Sequence, residues 1–277
     1  MIEKITSPQN PGVKRVARLR VKKGRDAKHL TIVEGVREVR QALAAGLRFS
    51  GAYVCSEGVY RCPPEIVGEL ESAGIRVNDT TCTVFDKLAY GDRTEGVLAL
   101  VEPAVRSLAD LKLRDNPLIV VLESVEKPGN LGAVLRTCDG AGVDALIVCD
   151  ERTDIYNPNV VRSSLGTIFS VPTVSCAGRE AADFLAERGI TTYAAVVQAE
   201  QFYYDKDWRR PCAIVLGSEQ DGLSDFWLRN ANEKVRIPML GRVDSLNVSV
   251  SAAVMIYEAV RQRALGANMP GGGSKGV

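Results

Sequence analysis

Residues 118–122, 145–149 and 213–216 are short, unbroken apolar runs, each bounded by polar or Gly-containing segments. Runs of this length without alternation are the mark of strands buried on both faces, which parallel sheets require. Helix-like segments separate them, so this half of the chain is predicted to fold as an open, doubly wound α/β sheet. Ligand sites in such sheets lie at the carboxyl ends of the strands. Three polar blocks fall in those places: Asn130-Leu131-Gly132-Ala133-Val134-Leu135-Arg136, then Gly217-Ser218-Glu219-Gln220-Asp221-Gly222-Leu223-Ser224, then Ile237-Pro238-Met239 with Ser245-Leu246-Asn247-Val248-Ser249-Val250. Their placement predicts one composite site.

Composition narrows the chemistry. The chain has 277 residues, 45% hydrophobic and 25% charged, which suits a globular protein of one large or two modest domains. No apolar stretch reaches the ~20 residues that span a bilayer, and Met1-Ile2-Glu3-Lys4 is not followed by a signal-type apolar core. The expected location is the cytoplasm. Seven cysteines without a C-x-x-C pair read as small apolar residues in a reducing compartment. His29 is the only histidine, which argues against a Ser-His-Asp triad and against a metal site. The dinucleotide fingerprint and the P-loop are both missing, because Gly129-Asn130-Leu131-Gly132 is not G-x-G-x-x-G. A nucleotide-dependent oxidoreductase is disfavoured on that ground.

The formal charge is only +1, yet residues 1–28 hold nine Lys and Arg against two acids. A basic end on a neutral chain suits a polyanion. Asn10-Pro11 predicts a helix start, with the helix running to Lys23 and Gly24 as its stop. Lys14, Arg18, Lys22 and Arg25 then share one face, either as a solvated stripe or as an RNA contact; the one-sided sign favours RNA. Arg37 joins them as a candidate. Further elements are predicted as strands at 31–33, 51–55, 75–77 and 96–101, with Glu34-Gly35-Val36-Arg37 leading into a helix through Ala45 and further helices at 63–73 and 83–88. That is a small α/β domain over 1–103. Residues 104–116 read as a linker. In the second domain, 117–266, strands are expected at 118–122, 145–149, 191–197, 213–216 and 235–237. Helices are expected at 131–140, 159–165, 179–188, 223–230 and 249–265, with 168–171 extended. Residues 267–277, rich in Gly, are expected to be a flexible tail.

In order and together, the three blocks resemble the SpoU (TrmH-like) class of SPOUT methyltransferases, from about Pro117 to about Arg263; Ser245-Leu246-Asn247-Val248-Ser249-Val250 opening a terminal helix is the most specific part. The resemblance implies transfer of methyl from S-adenosylmethionine to an RNA ribose 2′-oxygen, a C-terminal trefoil knot and a homodimer through the C-terminal domain. Leu30-Thr31-Ile32-Val33-Glu34-Gly35 is the part that looks most like the L30e-type RNA-binding domain of this class, although Glu34 could equally cap or salt-bridge. Such a domain favours large-subunit ribosomal RNA, with transfer RNA or a non-catalytic ribosome-assembly role as alternatives. It leaves housekeeping and antibiotic-resistance roles both open.

The resemblance also assigns roles. Arg136 becomes the central catalytic residue, against its plain reading as a surface cation. A guanidinium stays protonated, so fixing a phosphate or a developing alkoxide is easier for it than acting as base. Asn130 orients Arg136 or the substrate, or caps a helix. Glu219 supports the catalytic groups, or complements a helix dipole. Ser245 and Asn247 complete the cluster, or cap the last helix. The cofactor pocket is expected at Leu216, Gly217, Ile237, Met239, Leu246, Val248 and Ser249, with Gly217 allowing close approach of the adenosine. Lys127-Pro128 departs from the family's common Asp-Pro or Asn-Pro, and Gln220-Asp221 is a mild variation.

Overall fold

The computed structural model describes residues 4–90 and 94–266. The expected tail, 267–277, lies outside them. The chain divides into two compact units, one of residues 1–105 with 154–170, the other of 106–153 with 171–277.

The first unit carries α1 (Pro11–Arg18), α2 (Lys22–Lys28), β1 (Thr31–Glu34), α3 (Val36–Ala44), β2 (Phe49–Val54), α4 (Pro64–Ser72), β3 (Val77–Asp79), α5 (Cys82–Leu88) and β4 (Val97–Val101). Its sheet has the order β1-β4-β2-β3, with β4 antiparallel to both neighbours and β2 parallel to β3. Val13, Val16, Leu19, Ile32, Phe85 and Leu98 are among the residues of its core. Asn10 caps α1 as expected, its side chain accepting from the Gly12 N–H at 2.8 Å. The single helix expected from 11 to 23 is instead two. Leu19 turns inward and is fully buried, and Val21 is extended at φ −106°. Gly24 is not a stop; it sits inside α2, where a Cβ would lie 2.0 Å from the Arg18 carbonyl oxygen. Only glycine lets the second helix start that close to the end of the first.

The second unit carries β5 (Leu118–Glu123), α6 (Pro128–Ala141), β6 (Ala145–Cys149), then, beyond the excursion of 154–170 with α7 (Pro158–Ser163), β7 (Thr173–Cys176), α8 (Gly178–Glu187), β8 (Thr191–Ala195), β9 (Cys212–Leu216), α9 (Asp225–Asn230), β10 (Glu233–Val235) and α10 (Val248–Gly266). All six strands are parallel, in the order β10-β8-β9-β5-β6-β7. The strand order reverses between β9 and β5, which makes the carboxyl ends there the switch point. β5, β6 and β9 are buried along their whole lengths, as their apolar runs require.

Three expectations are corrected. Residues 168–171 are not extended, because Thr167–Phe169 form a 3₁₀ turn, and the strand comes next, at Thr173–Cys176. Residues 106–116 are not a free linker; Leu108, Leu111 and Leu113 pack against the core of the second unit, behind a turn whose start is capped by Ser107 and Asp110. Residues 154–170 belong with the first unit, where the Thr31 hydroxyl donates to the Tyr156 carbonyl at 2.7 Å and α7 packs on β1.

Candidate active site

β5 ends in a buried carboxylate. Glu123 accepts from the Ser224 N–H at 2.7 Å and from its hydroxyl at 2.6 Å. Ser224 closes the block that follows β9, so Glu123 ties the first strand of the unit to the second block. Beyond it Ser124 takes a left-handed φ of 53°, and Asp150 after β6 does the same at 50°. Such backbone costs energy and concentrates at functional sites.

After β9 the chain folds back on itself. Ser218 and Gly222 exchange backbone hydrogen bonds of 3.1 Å in each direction, and Asp221 N–H donates to Ser218 Oγ at 3.0 Å. A Cβ on Gly217 would stand 2.1 Å from the Gly222 carbonyl. The glycine is therefore required by the loop's own backbone. The turn projects Glu219 outward, exposed. At the rim Arg152 pairs with both Glu126 and Asp221, the latter at 3.3 Å, joining the loops that follow β5, β6 and β9.

The strand ends and the segment from Arg236 to Val248 enclose a cavity of about 380 Å³, within the range of small-molecule sites. Leu216, Gly217, Ile237, Met239, Leu246 and Val248 line it, as do Glu219 and Ser245. Ser249, expected among them, is not part of the wall; its N–H and hydroxyl both donate to Asn247 Oδ1, at 3.0 and 2.6 Å. That makes Asn247 a cap of α10. Its Nδ2 also donates to Asn130 Oδ1 at 3.2 Å. Asn130 is not an N-cap, since Lys127 holds that place and Pro128 is the first helical residue. Asn130 Nδ2 is buried without a partner.

Arg136 stands apart from this cluster. It is exposed on α6, outside the cavity wall. Six residues of helix separate it from Asn130, a rise of about 9 Å and a rotation of about 240°. Within one chain, then, the structure brings Asn130 to Asn247 and sets Glu219 and Ser245 around one cavity, while Arg136 remains outside.

Sequence reasoning missed Glu123, Arg152 and Arg236. An acid ending a five-residue apolar run was the signal for Glu123. Arg236 sits beside the expected Ile237 and lines the cavity. The seven cysteines are free. Cys149, opposite Cys176 in the sheet, is held above the usual thiol range by that neighbour's hydrogen bond and by burial. Among the described residues no group of acids, cysteines and histidine could hold a metal, and no helix is long and apolar enough to cross a membrane.

Of the expected RNA-contact residues, Lys14, Arg18, Lys22 and Arg37 are exposed. Arg25 is not: its side chain is 5% exposed, pairs with Asp154 and donates to the carbonyls of Leu19 and Arg20 at 2.9 and 3.0 Å. It is a structural residue of the first unit, drawn inward by the break after α1, and the proposed shared face loses it.

Residues 117–257 match the model of the SpoU rRNA Methylase family, and residues 10–99 that of an MRM3-like substrate binding domain. A 23S rRNA (guanosine-2′-O-)-methyltransferase RlmB of Bordetella pertussis is 40% identical over 203 residues, covering 70% of this chain and 82% of that one. A crystal structure of an RNA 2′-O ribose methyltransferase superposes with a TM-score of 0.83 at 39% identity, over 94% of this chain and 99% of that one. An AdoMet-bound rRNA methyltransferase from Sinorhizobium meliloti gives a TM-score of 0.84 at 28% identity, over 94% and 97%.

Proposed function

The chain belongs to the SpoU rRNA methylase family, and from that premise we propose that it transfers methyl from S-adenosylmethionine to a ribose 2′-oxygen of 23S ribosomal RNA. The observation that carries this reading is the cavity at the carboxyl ends of β8, β9 and β10, whose wall holds six of the seven residues expected to bind the donor. The apolar faces of Leu216, Ile237, Met239, Leu246 and Val248 suit an adenosine, and the backbone of the surrounding loops offers it hydrogen bonds. S-adenosylmethionine, when bound, supplies a methyl group already activated on sulfur.

The chain's own residues then have to hold the ribose hydroxyl in line and manage its proton. Glu219 and Ser245 are on the cavity wall, and Asn130 and Asn247 form a fixed pair beside the start of α10. We assign them to orienting the ribose and the groups around it. A guanidinium suits charge stabilisation better than proton removal, so the part we assign to Arg136 is to fix a phosphate next to the target or to stabilise the developing alkoxide. Its place outside the single-chain cavity fits a site completed in a homodimer, with the C-terminal unit, for which we also propose the family's knot, forming the interface. The exposed cations of the first unit, among them Lys14 and Arg18, are the proposed RNA contact, consistent with the match of residues 10–99 to a substrate binding domain. We place the enzyme in the cytoplasm, where ribosomes are built.

Mapping ribose methylation on 23S RNA incubated with and without the protein and S-adenosylmethionine tests the proposal. One new 2′-O-methyl nucleotide is the expected result. Methylation of transfer RNA instead, or of neither RNA, overturns it.

A further inference from the structure

Among the described residues, Arg236 is the one cation in the wall of the cavity; the other charged residues there are Glu219, Asp221 and Asp244. Asp221 already faces Arg152 at 3.3 Å. No described carboxylate pairs with Arg236, and its Nε is buried without a hydrogen-bond partner. Leaving a charged donor unmet in a buried place is costly, and such a group calls for a partner that the protein itself does not provide.

The residue is held ready for one. Its backbone is fixed on both sides, the N–H donating to Gln201 O at 2.9 Å and the carbonyl accepting from Tyr203 N–H at 3.0 Å. Its guanidinium lies over the Phe202 ring, 4.7 Å from the centroid, and that ring stacks on Tyr204 at 5.2 Å. A guanidinium resting against an aromatic face can still turn its N–H groups to a planar anion such as a carboxylate.

S-adenosylmethionine brings one carboxylate, one ammonium and one sulfonium. The three acids of the wall repel the first and attract the other two. Resting on the methyl donor assigned above, we propose that Arg236 is the subsite for the donor's α-carboxylate, and that it sets the direction in which the amino-acid tail leaves the adenosine pocket. The residue binds and orients; it takes no part in the proton transfer.

Decarboxylated S-adenosylmethionine is the probe, since it keeps the sulfonium and the amine and lacks only the carboxylate. Calorimetric titration of the full-length protein should show it binding about tenfold or more weakly than S-adenosylmethionine, the loss expected for a charge-assisted pair. In Arg236→Met, which keeps the apolar stem over Phe202, the two ligands should bind within about twofold of each other. Arg236→Lys should restore part of the difference. Should Arg236→Met fail to fold, the ratio in wild type and in Arg236→Lys still decides. Equal affinity of the two ligands for the wild-type protein overturns the assignment, as does a tenfold ratio that persists in Arg236→Met. A wild-type protein that binds neither ligand would instead overturn the donor assignment, and this inference with it.

Discussion

The Asn247 amide donates to the Asn130 side-chain oxygen across 3.2 Å, although 117 residues separate them in the chain. The bond ties the first turn of α6 to the cap of α10, and these two helices pack against each other. It also joins the first block read from the sequence to the third. Glu123, bonded to Ser224, ties in the second. The composite site is thus built from hydrogen bonds between blocks, each anchored at a strand or helix end.

Arg136→Ala tests the division of labour. Arg136 lies outside the cavity wall, so donor affinity should stay within about twofold. Methyl transfer should fall by about 10² or more, the scale for losing one preorganised electrostatic group. Calorimetry and single-turnover transfer on the same preparation separate the two effects. A variant with more than a third of wild-type turnover would remove Arg136 from the catalytic set.

Gly217→Ala tests the loop. The added Cβ would meet the Gly222 carbonyl at 2.1 Å, so the turn that carries Glu219 must open. Overpacking of this kind costs about 1–3 kcal/mol. Denaturant unfolding should show that loss, together with weakened donor binding. A variant with wild-type stability would mean that the Ser218–Gly222 turn shifts at no cost.

Arg25 and Lys14 should behave oppositely, although the sequence places them in one basic run. Arg25→Met breaks a buried pair with Asp154 and should cost about 3–5 kcal/mol. Lys14→Glu with Arg18→Glu should leave stability nearly unchanged and flatten the salt dependence of RNA binding, by about 0.7–0.9 in log–log slope per lost phosphate contact. An unchanged slope would make this a solvated face.

Asp144 gives a pH signature. Burial pushes its carboxyl up, but the Arg114 guanidinium and the Leu118 and Arg114 N–H groups outweigh it and hold the carboxyl below its ordinary value of 3.8. A depressed folded value means stability that is present above that value and lost as pH falls through the lower, folded one. Asp144→Asn should therefore be less stable than wild type at pH 7, by about 1.5–3 kcal/mol. The gap should close as acid unfolding sets in below pH 3.8. A gap independent of pH would assign the effect to packing.

What the sequence made legible follows from where the physics is local. β5, β6 and β9 were readable because a strand buried on both faces must be apolar throughout. β7 was missed because it is an edge strand, with Ser175 exposed, and needs no such run. The break between α1 and α2 depends on Leu19 finding a core and on Gly24 meeting the Arg18 carbonyl, neither of which periodicity records. Allegiance of residues 154–170 to the first unit rests on Thr31 and Arg25, more than a hundred residues away. The Asn130–Asn247 pair is legible only as a pattern of blocks, since nothing in either segment names the other.

The proposed homodimer can be tested on α10. Ala252, Met255, Ile256 and Ala259 are buried, whereas Val250 is 47% and Tyr257 51% exposed. The helix is thus apolar on a face that its own chain leaves open, and Leu240 and Val243, from the loop before it, are exposed as well. Deleting residues 1–103 is a poor test of the interface, because it would strip Thr31 and Arg25 from the segment 154–170. Point variants on the full chain serve better. Val250→Glu and Tyr257→Glu touch exposed positions and should leave the fold within about 0.5 kcal/mol. The wild-type protein should sediment at about twice its chain mass of 29.9 kDa, and the double variant at the mass of one chain. If Arg136 reaches the site only across the interface, transfer should fall with dimerisation while donor binding persists. A wild-type monomer, or a monomeric variant with full turnover, would refute the shared site.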